Sequence, residues 1–426
     1  MYFCYNIDKT IQTHYSRQAF NFCHNLTHSI LKDFTQLPPQ RVSSVDAYRG
    51  FVMFLMMAEV LSFGKVSEAL PGSAFWAFLN HHQSHVSWVG CSLHDLIQPS
   101  FSFLVGVALP YSIASRATQK QNTGTMWFHT IRRSLILIFL GVFLRSMHSD
   151  QTNFTFEDTL SQIGLGYPFL FALGFATERV QWSALALILL AYGLFFAFYP
   201  LPGPYFDWAE TGTTADWPHN LQGFAAHWNK NTNAAWAFDR WFMNLFPRAS
   251  TFRFNGGGYS TLSFVPTLGT MVLGLIAGKW LKNTTNAAIL IQRFLITATI
   301  LFVTGLALDL LGINPIVKRI WTPAWVLFSG GWAFVLLAGF YYLVDVKQGK
   351  SWFLPLIVIG TNSIAAYIIA HTIDSFIADS FRIHIGPDYN LIFGQAYRTL
   401  VTGGIILLVE WWILYWMYKK KIFITI

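Results

Sequence analysis

Charge is what this sequence has least of: Asp, Glu, Lys and Arg make up 11% of its 426 residues, against about a quarter in a soluble domain. A chain so poor in charge and 54% hydrophobic cannot cover a water-facing surface, which excludes an ordinary soluble enzyme. Cysteine is also scarce. Cys4, Cys23 and Cys91 show neither a paired framework nor metal-ligand spacing, so they carry no assigned role. No Gly-rich nucleotide loop, internal repeat or low-complexity tract is present. The first 40 residues lack the basic start, apolar centre and small-residue cleavage site of a signal peptide. They read as a polar cytoplasmic extension, or as the product of a start codon placed too early.

What is there is apolar sequence in long runs. About ten stretches could cross the roughly 30 Å hydrocarbon layer, at 47–66, 93–115, 131–147, 159–176, 182–199, 261–280, 294–311, 325–344, 353–374 and 397–418. The expected fold is therefore an all-α integral membrane protein, a polytopic bundle of about ten transmembrane helices. Its organisation is an N-terminal extension (1–40), a membrane domain (41–420) with a long outer loop (200–260), and a short tail (421–426). Lys and Arg are roughly three times denser in 116–133, 177–181, 279–293, 345–351 and 419–426 than in the alternate loops, so these face the cytoplasm. Both termini are then cytoplasmic. The net charge of +8 reflects that bias rather than nucleic-acid binding.

Ionisable residues at membrane depth are costly and mark partners or tasks. Asp46 and Arg49 open the first span three residues apart on one helical face, either as an anchoring ion pair or as a phosphate ligand. Glu59 lies about 20 Å further along the helix at 1.5 Å per residue, in the outer half of the membrane, where a carboxylate needs a partner. The stretch His85 to Gly106 carries a polar turn with His85, His94 and Asp95 into an apolar helix, where Asp95, Gln98 and Ser102 share a face. Pro99 and Pro110 there suggest kinks of the kind that line cavities. His81, His82 and His85 lack the helical pairing or cysteine partners of a zinc site, and no metal is expected.

In the ninth span Ser363, Tyr367 and His371 recur every four residues and Asp374 follows, giving one polar face. A structural seam of interhelical hydrogen bonds would account for it. So would function, since this span runs outward and His371 and Asp374 then end level with His85 and Asp95, allowing two His and Asp pairs to converge. The tryptophans of the long loop, Trp208, Trp217, Trp228, Trp236 and Trp241, read as an interfacial belt in preference to sugar-stacking platforms.

Arg41-x-x-Ser44-x-Asp46-x-x-Arg49-Gly50, then His85-x-x-Trp88-x-Gly90-x-x-x-x-Asp95-Leu96-x-x-Pro99, resemble the heparan-alpha-glucosaminide N-acetyltransferase family and its bacterial relatives. Leu-Gly-Leu-Ile-Ala-Gly ending the sixth span, Ile320-Trp321-Thr322, Asp345, and Asn362-Ser363-Ile364 with Tyr367 extend the likeness over about 41–420. The resemblance implies a membrane enzyme that takes acetyl-CoA from the cytosol and acetylates an amino sugar across the membrane, with the histidine at the position of His85 as acyl carrier or general base. The family's first span often has a catalytic Asn, where this chain has Val60 beside Glu59.

The expected function is thus transfer of an acetyl group from acetyl-CoA to an amino sugar or other glycan outside the cytoplasm, in a bacterial inner membrane. His85, Asp95, His371 and Glu59 are the catalytic candidates. Asp46, Arg49, Asn362, Ser363 and Tyr367 are the candidates for binding the donor. His371, Tyr367 and Asn362 could also supply donors to the developing oxyanion. The partners are the bilayer and the acceptor, no nucleic acid is expected, and a homodimer is left open. The rival is a sugar or metabolite transporter whose polar stripes line a proton-coupled path.

Overall fold

The computed structural model describes residues 42–424. The expected extension over 1–40, with Cys4 and Cys23, lies outside the described residues. Those described are helical, and the one extended contact is an isolated antiparallel bridge between Val89 and Val317. Among the described residues eight helices are long and apolar enough to cross a membrane, nine if a sharply bent pair counts as one span.

The chain begins with α1 (Ser43–Met57), which tightens into a 3₁₀ turn at Ala58–Leu61. Two short helices follow, α2 (Phe63–Ala69) and α3 (Ala74–Gln83). The polar turn then leads into α4 (Ile97–Thr118), α5 (Thr123–Ser146), α6 (Thr159–Gly174) and α7 (Glu178–Ala197). The long loop carries α8 (Ala234–Phe242). After it come α9 (Phe264–Asn283), α10 (Ala287–Leu310) and α11 (Pro323–Phe340), the last continued by a wider turn through Val346. Then α12 (Leu354–Thr361) and α13 (Ser363–Thr372) form the bent pair, ahead of α14 (Asp374–Ile385) and α15 (Arg398–Lys419).

Two of the ten expected spans differ from expectation. α6 has 16 residues, about 24 Å at 1.5 Å per residue, and falls short of a full crossing. Asp158 fixes its start by accepting the N–H groups of Leu160 and Ser161 at 2.9 and 3.0 Å, an N-cap. The ninth span breaks at Asn362, where α12 and α13 meet at 84°. Asn362 there donates from Nδ2 to the carbonyl of Ile422 at 2.7 Å and accepts the N–H of Ile424 at 3.0 Å, so the tail is clipped into the break.

α9 is the most enclosed long helix, and it crosses α4 where Gly106 faces Met271 and Gly274 faces Phe103. A Cβ at either glycine would run into the facing carbonyl, the close approach that small residues permit between membrane helices. Trp88, Trp228, Ala235, Val317 and Ile320 form a second apolar cluster with Tyr192 and Phe196 of α7. Trp228 is buried in this cluster and Trp236 is buried as well, so these two tryptophans pack inside the protein, where a belt residue would face the interface. Trp241 remains exposed.

Candidate functional site

The polar turn between α3 and α4 is organised by one carboxylate. Asp95 is 1% exposed; its Oδ2 accepts the N–H of Ser92 at 3.0 Å, the Ser92 hydroxyl at 3.0 Å and the N–H of Val86 at 3.3 Å. Its Oδ1 meets His85 Nδ1 at 2.8 Å and the Lys318 ammonium at 3.4 Å. Lys318 Nζ also lies 3.2 Å from His85 Nδ1, but an ammonium only donates and Nδ1 cannot both donate to Asp95 and accept from Lys318. The shorter contact decides: Nδ1 carries the proton, held by Asp95, and Nε2 keeps the lone pair. That is the tautomer and orientation a carboxylate imposes on a catalytic imidazole.

Burial holds His85 below the ordinary histidine value; the hydrogen bond it donates to Asp95 opposes this, and the Lys318 ammonium adds to it. The imidazole is therefore mostly neutral near pH 7, the form that acts as base or nucleophile. Lys318 is 5% exposed, and burial lowers it to about 8 against the pull of Asp95. The segment that carries it is tightly fixed. Gly90 N–H donates to Ile316 at 3.0 Å, and Arg319 donates to Gly257 at 2.7 Å and Val86 at 3.2 Å. The Thr322 hydroxyl accepts from Val317 N–H at 3.1 Å and donates to Pro315 at 2.6 Å.

A second imidazole stands beside the first. The rings of His85 and His94 are 4.5 Å apart, and His94 Nε2 reaches Glu59 Oε1 at 3.2 Å. Glu59 sits in the 3₁₀ turn that ends α1, and Gln83 pins that turn by donating to the Ala58 carbonyl at 2.6 Å and accepting from Phe63 N–H at 2.7 Å. The partner that Glu59 was expected to need is His94.

These groups line a cavity of about 470 Å³ that also takes in Gln98, Arg145, His148, Glu157, Asp158, Tyr259, Tyr367 and His371. Of the residues expected to be catalytic, His85, Glu59 and His371 line it, while Asp95 stands behind His85. Of the expected donor-binding residues, Tyr367 lines it. Asp46 and Arg49 form their ion pair at 3.5 Å at the far end of α1, Asn362 is engaged with the tail, and Ser363 begins α13. His371 and Asp374 do not pair: His371 Nδ1 is 2.8 Å from the Tyr367 carbonyl, and the Asp374 carboxyl faces Glu410 of α15. Among the described residues no group of three or more His, Cys, Asp or Glu side chains is set to hold a metal ion.

Lys318 went unmarked in the sequence because it lies 233 residues from His85. The trace it leaves is a Lys-Arg pair in a loop expected to face outward, against the positive-inside bias, within the apolar run Pro315-Ile-Val-Lys-Arg-Ile-Trp321. Arg145, His148 and Tyr259 left no comparable trace.

Residues 41–211 match a family described only as a domain of unknown function, DUF5009. The chain is 26% identical to the human heparan-alpha-glucosaminide N-acetyltransferase over 433 aligned residues, covering 91% of this chain and 60% of that protein. It is 23% identical to the mouse protein of the same name, over 90% and 60% respectively. The chain thus spans about three-fifths of the length of the curated relatives it matches. Over some nine-tenths of its own length it is similar to heparan-alpha-glucosaminide N-acetyltransferases, as the order and spacing of its motifs led one to expect.

Proposed function

We propose that the protein is an integral membrane acyltransferase that moves an acetyl group from cytosolic acetyl-CoA to an amino sugar, or a related glycan acceptor, on the opposite face. The observation that carries this reading is the imidazole of His85, fixed by a buried carboxylate at 2.8 Å and lining a cavity of about 470 Å³, in a chain similar to N-acetyltransferases over about 90% of its length. Neutral His85 attacks the thioester or deprotonates the acceptor, and Asp95 stabilises the imidazolium that develops. The Lys318 ammonium keeps the Asp95 charge compensated. Tyr367 borders the same cavity, and in this reading its phenol donates to the oxyanion.

The donor fits the polarity of the molecule. α4 runs from the site toward Arg116 and Lys120, about 30 Å away at 1.5 Å per residue, so a cytosolic donor would meet basic residues at its charged end and the imidazole at the other. Both chain termini are cytoplasmic in this reading, and the membrane is a bacterial plasma membrane.

The test places purified protein in liposomes with labelled acetyl-CoA on one side and a panel of amino sugars on the other. Wild type should yield labelled sugar, and His85→Ala should lose at least about a thousandfold in rate, as removal of an acid–base nucleophile does. Product formed at the wild-type rate by His85→Ala would move the chemistry elsewhere. The broken pair α12–α13 is a feature of transporters too. Accumulation of sugar in vesicles without acetyl-CoA would favour that second reading.

A further inference from the structure

Within the acyltransferase reading, the acceptor half of the reaction raises a difficulty that His85 alone cannot meet. Once Nε2 of His85 carries an acyl group its lone pair is used, and Nδ1 is committed to Asp95 at 2.8 Å. A second base is then needed within reach of the acyl carbon. His94 stands nearby: its ring lies 4.5 Å from that of His85 between centroids, borders the same cavity and is held through Nε2 by Glu59 at 3.2 Å.

We propose that His94, oriented by Glu59, is a second catalytic residue that moves the protons of an acyl-enzyme cycle while His85 carries the acyl group. The proposal rests on the acyltransferase reading and adds a division of labour to it. The cycle uses His94 first as an acid, with Nε2–H on Glu59 and the Nδ1 proton given to the leaving group. His85 Nε2 attacks the thioester carbonyl carbon. The C–S bond breaks, sulfur leaves with the electron pair and takes the Nδ1 proton of His94, and the products are the free thiol and an acetyl-imidazolium on His85. The acceptor amine then attacks the acetyl carbon. The bond from that carbon to His85 breaks and returns its electron pair to Nε2, and the amine proton passes to His94 Nδ1. Both histidines return to their starting forms, and the net change is thioester and amine to thiol and amide.

Glu59 has a definite part in this. By holding Nε2–H in both half-reactions it leaves Nδ1 as the nitrogen that gives and receives, the orienting role a carboxylate plays for an imidazole. The charges facing His94 are Glu59 from the end of α1, His85 and Asp95 from the polar turn, Lys318 from the segment before α11, His371 from α13, and Arg145 and Glu157 across the cavity. Lys318 and an imidazolium at His94 repel one another, and Glu59 and Asp95 offset them.

The experiment uses the full chain in liposomes with labelled acetyl-CoA and glucosamine, comparing wild type, His94→Gln and Glu59→Gln. Wild type should release about one equivalent of thiol per active site before acceptor is added, the burst of a covalent intermediate. His94→Gln should lose about a hundredfold or more in kcat with the KM for acetyl-CoA unchanged, and free imidazole in the buffer should restore part of the rate, which a packing role would not allow. Glu59→Gln should fall between the two, and it carries the test if His94→Gln does not fold. Either variant turning over within about threefold of wild type across the pH range, or a loss in His94→Gln that imidazole leaves untouched, overturns the proposal. A wild type that transfers no acetyl group overturns the acyltransferase reading itself. Activity that needs His85 and not His94 overturns only the division of labour.

Discussion

The molecule places two His and Asp pairs at one end of the bundle and treats them differently. His85 and Asp95, ten residues apart across a polar turn, meet at 2.8 Å, and the carboxylate is enclosed by three further donors and an ammonium. His371 and Asp374, three apart across a helix boundary, do not meet. His371 stacks on Tyr367 at 4.3 Å, its Nδ1 2.8 Å from that residue's carbonyl, while Asp374 begins the next helix and faces Glu410. A turn can fold its donors around a carboxylate, whereas a helix fixes where each side chain leaves the axis. Sequence spacing of a His and an Asp therefore says little until the backbone between them is known.

The comparison predicts the largest loss, after removal of His85 itself, at Asp95. Asp95→Asn keeps the shape but allows the amide to face Nδ1 with its N–H, which favours the wrong tautomer, and kcat should fall by about 10²–10⁴, as in other carboxylate–imidazole pairs. Asp374→Asn, the matching change in the second pair, should lie within about threefold of wild type. Equal losses at the two positions would show that the second pair works as the first does.

Lys318 sharpens the contrast, since among the described residues no ammonium is paired with Asp374 as Lys318 is with Asp95 at 3.4 Å. Only neutral His85 reacts, so activity is lost as pH falls through its pKa, and burial together with the Lys318 ammonium places that limb below the ordinary value of 6.5. Lys318→Met removes one of the lowering influences and leaves Asp95, which raises. The acid limb of kcat/KM, which reports the free enzyme, should then move to higher pH. Lys318→Arg should move it back toward wild type. An unmoved limb in Lys318→Met would mean that the ammonium does not act on His85.

The sequence made the bundle legible because hydropathy reports burial in lipid directly: eight of the ten expected spans coincide with helices able to cross. It concealed the other two. α6 reads as a span because Ile163 to Phe175 is apolar, but its enclosure by α5 and α9 is a packing property. The break at Asn362 is hidden in an apolar run whose only signs are Gly360-Thr-Asn362, a stretch any membrane helix can carry. At the site, His85, Asp95 and Glu59 were legible as ionisable groups too costly to lie in a membrane without purpose. Lys318 and the pairing of His94 with Glu59 were not, because they depend on which loops meet. The ion pair of Asp46 and Arg49 could be read from local spacing alone, and the structure has it.

The smallest effect is expected at His371. It borders the cavity, but its ring is stacked on Tyr367 and its Nδ1 lies against the carbonyl of its own helix. With Nδ1–H spent on that carbonyl, Nε2 of the same tautomer accepts and has no proton to give an oxyanion. His371→Ala should therefore change kcat by no more than about threefold to tenfold, through lost shape at the cavity wall and a freer Tyr367. Tyr367→Phe separates the two, because the phenol can donate where the imidazole cannot. A larger fall in kcat for Tyr367→Phe than for His371→Ala would assign the oxyanion contact to the tyrosine. A fall of a hundredfold or more in His371→Ala would instead return this histidine to the chemistry, and would make the two pairs equals after all.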